Sequence, residues 1–213
     1  MTIEIHTHQF ILHPTGGVYW KEKQSWLLAD VHLGKVAHFR KNGIPVPRNA
    51  EGFFYQKMEE LLALFPIKRI IFLGDLFHSF QNNEWHLFEA WVKQQSFEMT
   101  LITGNHDIIP NWKFEDLGIL VKKSWEEGPF FFAHFPDQKT QQFVFCGHVH
   151  PGITLTGIGK QNMKLPCFYK SPKQLILPPF GVFTGLHIIK PKADEQIYVT
   201  TAKEVLEIKE KLP

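Results

Sequence analysis

The chain has 213 residues, with 23 Lys and Arg against 21 Asp and Glu and a formal net charge of +2. That length allows one sizeable core, and the near-neutral balance neither demands nor excludes a polyanionic partner, so any phosphate site must be local. No apolar run reaches the roughly eighteen residues of a transmembrane helix, no basic start with an apolar stretch marks a secretory signal, and two cysteines are too few for a disulfide framework; the cytoplasm is the expected compartment.

In chain order, a hairpin is predicted between Gln9 and Glu22 around Gly16-Gly17, with His6, His8 and His13 as surface or packing residues. The apolar run 25–29 ends abruptly in Asp30-Val31-His32. A loop follows with Lys35, His38, Arg40, Lys41 and Arg48, a candidate phosphate-tracking patch. Asn49 can cap a helix whose Phe54, Met58, Leu61, Leu62 and Phe65 recur at helical spacing. The run 69–73 delivers Gly74-Asp75 and, three residues on, His78. Asn82 or Asn83 can cap a second helix bearing Trp85, Phe88, Trp91, Val92 and Gln95, with His86 as a surface or packing residue. The run 99–103 delivers Gly104-Asn105-His106-Asp107, the run 130–133 delivers His134, and the run 143–146 delivers Gly147-His148-Val149-His150. Residues 152–172 mix Gly, Thr, Lys and Pro and are expected to be irregular. His187 falls in a late strand, and 203–211 alternates charge with aliphatics like an amphipathic helix. No repeat, low-complexity tract or linker divides the chain, so a single domain over 1–213 is expected. The strand–helix alternation of the first half predicts an α/β fold.

Five apolar runs thus end in oxygen or imidazole donors, and none ends in a thiolate. A buried strand that stops at a carboxylate plants a ligand at the rim of a sheet. The glycines at 74, 104 and 147 permit the tight turns and close backbone approach that a crowded ion site needs. The donors outnumber what one ion can use, a pattern that suits two divalent cations acting on a phosphate ester. Mixed imidazole, carboxylate and amide donors fit manganese, iron, zinc or cobalt, whereas magnesium alone prefers oxygen.

The ordered set DxH, GDLFH, GNHD, H and GHxH, from Asp30 to His150, resembles the calcineurin-like metallophosphoesterase superfamily. Asp30-Val31-His32-Leu33-Gly34-Lys35 with Phe39-Arg40 and 43–47, and the tail 177–181 with Thr184-Gly185, are similar to a narrower branch, the bacterial ligase-associated DNA-damage-response endonucleases of the PdeM type. The resemblance implies a two-sheet β-sandwich flanked by helices, the four-layer metallo-dependent phosphatase fold. It implies Asp30, His32 and His150 as ligands of a first ion, Asp75 as the bridging carboxylate, and Asn105, His134 and His148 as ligands of a second. It makes His106 the general acid for the leaving oxygen, or a stabiliser of the transition state, tasks suited to imidazole, which titrates near neutrality. Manganese is the expected ion, since related nucleases use it.

Where phosphoprotein phosphatases of the superfamily carry Asp, this chain has His78, the form of the SbcD-type nucleases. That favours DNA phosphodiesters, with Lys35, His38, Arg40 and His78 as candidate substrate-binding residues; as a structural alternative, His78 is a hydrogen-bond partner behind the ligands. The expected partners are single-stranded or flap DNA and repair proteins such as a ligase, with no membrane. Two other readings are a phosphoesterase for small esters such as cyclic nucleotides, and a non-catalytic binding module of the same fold.

Overall fold

Period-two alternation along neighbouring strands splits the core in two. The structure is a computed structural model describing residues 1–43, 45–47, 52–78, 83–137, 139–157, 159 and 161–208, without the side chains of His38 and Lys41. The first sheet runs in the order β1 (Thr2–Ile5), β2 (His8–Leu12), β3 (Val18–Trp20), β4 (Ser25–Leu28), β5 (Arg69–Leu73), β6 (Glu98–Ile102) and β7 (Leu120–Lys122). Strands β1 to β4 pair antiparallel, and β4 to β7 pair parallel. The hairpin expected between Gln9 and Glu22 is the β2–β3 pair, and the apolar runs before the donor motifs are strands.

Trp26, Leu28, Ile70, Phe72, Met99 and Leu101 face one side of this sheet. They pack against Phe54, Met58 and Leu61 of α2 (Phe53–Leu64) and Trp85, Phe88, Trp91 and Val92 of α3 (Asn83–Val92). Asn49 and Asn82, read as caps, lie outside the described residues; α2 follows Gly52, which supplies no side-chain cap. Two short helices were not foreseen. α1 (Lys35–Lys41) replaces the loop expected after the first motif, and α4 (Asn111–Glu115) follows the third strand–donor junction.

Leu27, Ala29, Ile71, Leu73 and Ile102 point the other way, into a second core shared with the second sheet. That sheet comprises β8 (Ser124–Glu127), β9 (Phe130–Ala133), β10 (Phe143–Cys146), β11 (Pro151–Thr156), β12 (Asn162–Lys170), β13 (Gln174–Ile176), β14 (His187–Ile188), β15 (Gln196–Thr200) and β16 (Val205–Ile208). The order is β14-β11-β12-β13-β10-β9-β8, with β15 on β12 and β16 on β15. Phenylalanine fills the space between the sheets: Phe132 and Phe145 stack with centroids 5.5 Å apart, and Phe10 lies 4.7 Å from Phe145. The result is a two-sheet α/β sandwich with helices on its flank.

Two expectations are corrected here. Within 152–172, expected to be irregular, 152–156 and 162–170 are strand: β11 and β12 pair antiparallel, with Ile153 opposite Leu165 and Gly157 N–H donating to Gln161. Ile153 and Cys167 are fully buried there, and that burial outweighs the local Gly and Pro content. The tail is not a helix through 205–208, because β16 pairs with β15 across a turn in which Thr201 Oγ1 accepts the N–H groups of Lys203 and Glu204. Among the described residues no helix is long and apolar enough to cross a membrane.

Candidate metal centre

Parallel pairing of β4, β5 and β6 brings their C-terminal ends to one edge, and β9 and β10, parallel to each other, end beside it. The turns beyond these strands are laced together by backbone. Asp30 N–H donates to the Gly74 carbonyl at 3.2 Å, His32 N–H to Asp75 at 2.9 Å, and Leu33 N–H to Leu76 at 2.8 Å. Gly147 N–H reaches the His134 carbonyl at 3.0 Å, joining the two strand ends of the second sheet. Across the sheets, His148 N–H donates to Asp30 Oδ2 at 2.9 Å. The tail stretch singled out in the sequence closes the edge: Phe180 N–H donates to Ala29 and Gly181 N–H to Asp30.

Asp107 clamps two of these turns. Its Oδ2 accepts the N–H groups of Asp75 and Gly104 at 2.9 and 2.8 Å, and its Oδ1 those of Leu76 and Phe77 at 2.8 and 3.3 Å. Burial pushes its carboxyl up, and the N–H groups of Gly104, Phe77 and Asp75 oppose that shift by favouring the charged form. Gly104 is required by contact, since a Cβ there would strike Asp75 Oδ1. Gly74, at φ 86°, is required both by conformation and by the His134 ring beside it.

Five non-glycine residues here adopt left-handed backbone: Asp30, His32, Asp75, His148 and His150, at φ 52°, 53°, 52°, 67° and 53°. Each costs about 1–3 kcal/mol, and such strain clusters where function fixes a side chain. Their side chains converge. Asp30 and Asp75 are fully buried, as are His32 and His134, and no described Lys or Arg lies within ion-pairing distance of either carboxylate. Asp30 Oδ1 and His150 Nε2 are 3.2 Å apart without forming a hydrogen bond. Both nitrogens of His32 also lack a hydrogen bond among the described residues. Burial drives the His32 imidazole down to about 2, helped by the charge of Lys35, so the ring is held neutral with a lone pair to offer. His134 Nδ1 donates to the Leu73 carbonyl at 2.9 Å, which leaves Nε2 as a lone pair 3.1 Å from Asn105 Oδ1 and 3.2 Å from His148 Nδ1. Asp75 Oδ1 lies 3.5 Å from the same nitrogen and accepts His106 N–H at 2.9 Å.

Acceptors aimed at one another in a buried space are repulsive unless cations lie between them. The donors therefore fit metal. Asp30, His32 and His150 form one set and Asp30, Asp75 and His134 another, with donor atoms within 4.8 Å of each other. The carboxylate common to both sets is Asp30, whereas the resemblance gives bridging to Asp75.

The calcineurin-like phosphoesterase family model matches residues 24–178. The chain belongs to that family. It is a metal-dependent phosphoesterase. A nuclease from Pseudomonas putida, named MPE, is similar in structure: 28% identical, TM-score 0.81, with 98% of this chain and 99% of that one covered. A protein of unknown function from Aquifex aeolicus is 19% identical, with a TM-score of 0.42 over 59% of this chain and 78% of that one, and nothing rests on it. Curated protein sequences give no match.

All seven ligand positions expected of this phosphoesterase are brought to one edge, with Asn105 and His148 at its exposed side. His106 is exposed, its ring 5.7 Å from that of His32 and 5.4 Å from that of half-buried His78. Lys35, the first residue of α1, is half-buried; burial lowers its ammonium, while the Asp30 and Asp75 charges oppose that shift. Arg40 donates to the Pro47 carbonyl at 2.7 Å. The His38 side chain and Arg48 lie outside the described residues. His8 and His13 pack as expected, against Trp20 and Trp26, and His86 is exposed. Two residues of the site were missed in the sequence, Asp107 and Phe135. Asp107 stands in the GNHD motif, and its spacing of three from Gly104 is a turn signal.

Proposed function

We propose that this single-domain phosphoesterase is a dinuclear phosphodiesterase that cuts DNA, in a repair setting and with manganese as its native ion. The observation that carries the diester reading is likeness to a nuclease over nearly the whole chain, and His78 in place of an acidic residue supports it. Asp30, His32, Asp75, Asn105, His134, His148 and His150 would hold two divalent cations. When bound, these supply charge neutralisation for the phosphoryl oxygens and an activated water. The chain does the rest. Asp107 and the Gly104 turn fix Asp75 and, through the His106 N–H, the backbone that carries the His106 ring. His106, outside the ligand sets and open to solvent, hands a proton from its imidazole to the leaving oxygen. Lys35 adds positive charge beside the carboxylate pair and meets a phosphate flanking the scissile one.

The test uses metal-stripped protein reloaded with manganese. It is assayed against single-stranded DNA, duplex DNA, cyclic dinucleotides and methyl p-nitrophenyl phosphate, a small diester. DNA cleavage that disappears with chelator is expected. Brisk turnover of a cyclic nucleotide with no cleavage of DNA under any ion overturns the nuclease assignment.

A further inference from the structure

Phe135 directly follows His134, yet it is 48% exposed while Phe130 and Phe132 of the preceding strand are among the largest fully buried side chains. It is not a stray surface aromatic. Its ring centroid lies 4.4 Å from that of His148 and 4.7 Å from that of His134, tilted at 59° and 76°. The ring thus meets two candidate ligands in tilted and edge-type contacts, and about half of the residue faces water. The His106 ring stands beside His32 and His78, while its N–H is held by Asp75. The rings of the proposed proton donor and of Phe135 therefore neighbour different histidines of the centre, as groups meeting the two arms of one phosphodiester would. A nucleobase is separated from its phosphate by a single sugar, so a base on the arm that does not leave falls within reach of a ring seated on His148.

We propose that Phe135 is a stacking platform for the nucleobase beside the scissile phosphate, and that it selects single-stranded nucleic acid. The proposal rests on the phosphodiesterase assignment above. Stacking on an aromatic face is tolerant of sequence because every base has such a face. A base inside a duplex already has its faces covered, so only an unpaired base can use this ring without disruption. A shielding role is the alternative for Phe135. Shielding needs an apolar side chain but no aromatic face, and it would affect every substrate alike.

The experiment separates the two. Manganese-loaded protein in a His106→Ala background, which limits cutting during the measurement, is titrated with oligo(dA), oligo(dT) and an abasic oligomer of equal phosphate number. A 2-aminopurine placed within the dA oligomer reports stacking by quenching. With Phe135 present, dA should bind more tightly than dT, and dT more tightly than the abasic chain, by about tenfold from first to last. Phe135→Ala should erase that order and the quenching, Phe135→Trp should keep both, and Phe135→Leu should restore neither. With His106 intact, Phe135→Ala should lose far more of its cleavage of oligo(dA) than of its turnover of methyl p-nitrophenyl phosphate, the two rates compared at equal manganese content. Equal affinity of Phe135 protein for dA and abasic oligomers, or full rescue by Leu, overturns stacking while leaving DNA cleavage standing. Equal losses on DNA and on the small diester also overturn it, in favour of support for His148. Failure to bind or cut any oligomer, beside turnover of cyclic nucleotides, removes the nuclease assignment and the stacking role together.

Discussion

A carboxylate buried without a basic partner is tolerated only if something else neutralises it. Among the described residues, Asp30 and Asp75 are two such groups at one edge, each accepting a backbone N–H and each facing imidazole. If Asp75 bridges, Asp75→Ala should abolish activity and remove most bound metal, read by elemental analysis after gel filtration. Retention of both ions by that variant would pass the bridging role to Asp30, the carboxylate common to both donor sets. His106 belongs to a different class of residue, because it touches the rings of the site without joining either set. His106→Ala should keep the metal and lose at least about a hundredfold in rate, the usual scale of general acid–base catalysis. The deficit should shrink on diesters with good leaving groups, which need no proton. The same loss on poor and good leaving groups would exclude His106 as the acid.

At the scale of elements, the centre depends on turns held from behind. Lys57 on α2 is one such support. Its Nζ donates to the carbonyls of Thr15 and Phe180 at 3.1 and 2.6 Å and lies 4.6 Å from the Phe180 ring, so it ties the β2–β3 hairpin to the tail stretch that reaches Asp30. Burial pushes its ammonium down to about 8, with the Glu60 charge opposing. Between about 8 and the ordinary lysine value of about 10.4, the unfolded chain binds more protons at this position than the folded one, so Lys57 makes stability rise with pH across that window. Denaturant titrations at several pH values should show this slope in the natural chain and its loss in Lys57→Met; an unchanged slope would refute the assignment. Lys57 was invisible in the sequence, since a lysine at one helix position carries no sign of the two carbonyls it meets. The five donor-tipped strands were legible because apolar runs of four or five residues stop sharply at Asp, Gly or His. α1 was not, because Lys35 to Lys41 is basic and has no acidic residue in its first turn. β16 was missed because Val205-Leu206-Glu207-Ile208 suits either period, and only its pairing with β15 decides it. The position of every proposed ligand could be read, but not the clamp by Asp107 or the exposure of Phe135. Both depend on which turns meet across the sandwich.

For the whole molecule, the edge trades stability for the capacity to hold cations. Among the described residues, five left-handed residues and two buried carboxylates without a Lys or Arg ion-pair partner load one end of an otherwise well-packed sandwich. Binding of ions should return that free energy. At a hundredfold excess over Kd one ion adds about 2.7 kcal/mol. For a chain of this size each kcal/mol moves Tm by about 2–4 °C, so one ion is worth roughly 5–11 °C. Thermal unfolding should therefore shift down by at least that much on chelation. Asp30→Asn sharpens the test, because the amide keeps an oxygen for the His148 N–H while removing the buried charge. In chelator, where the carboxylate has only the more distant Lys35 as counter-charge, the variant should melt at or above the natural chain. With manganese the order should reverse, since the variant has lost a ligand. A variant that melts lower under both conditions would show that Asp30 stabilises the edge as a hydrogen-bond acceptor irrespective of metal, and that the strain there is met by packing rather than by cations.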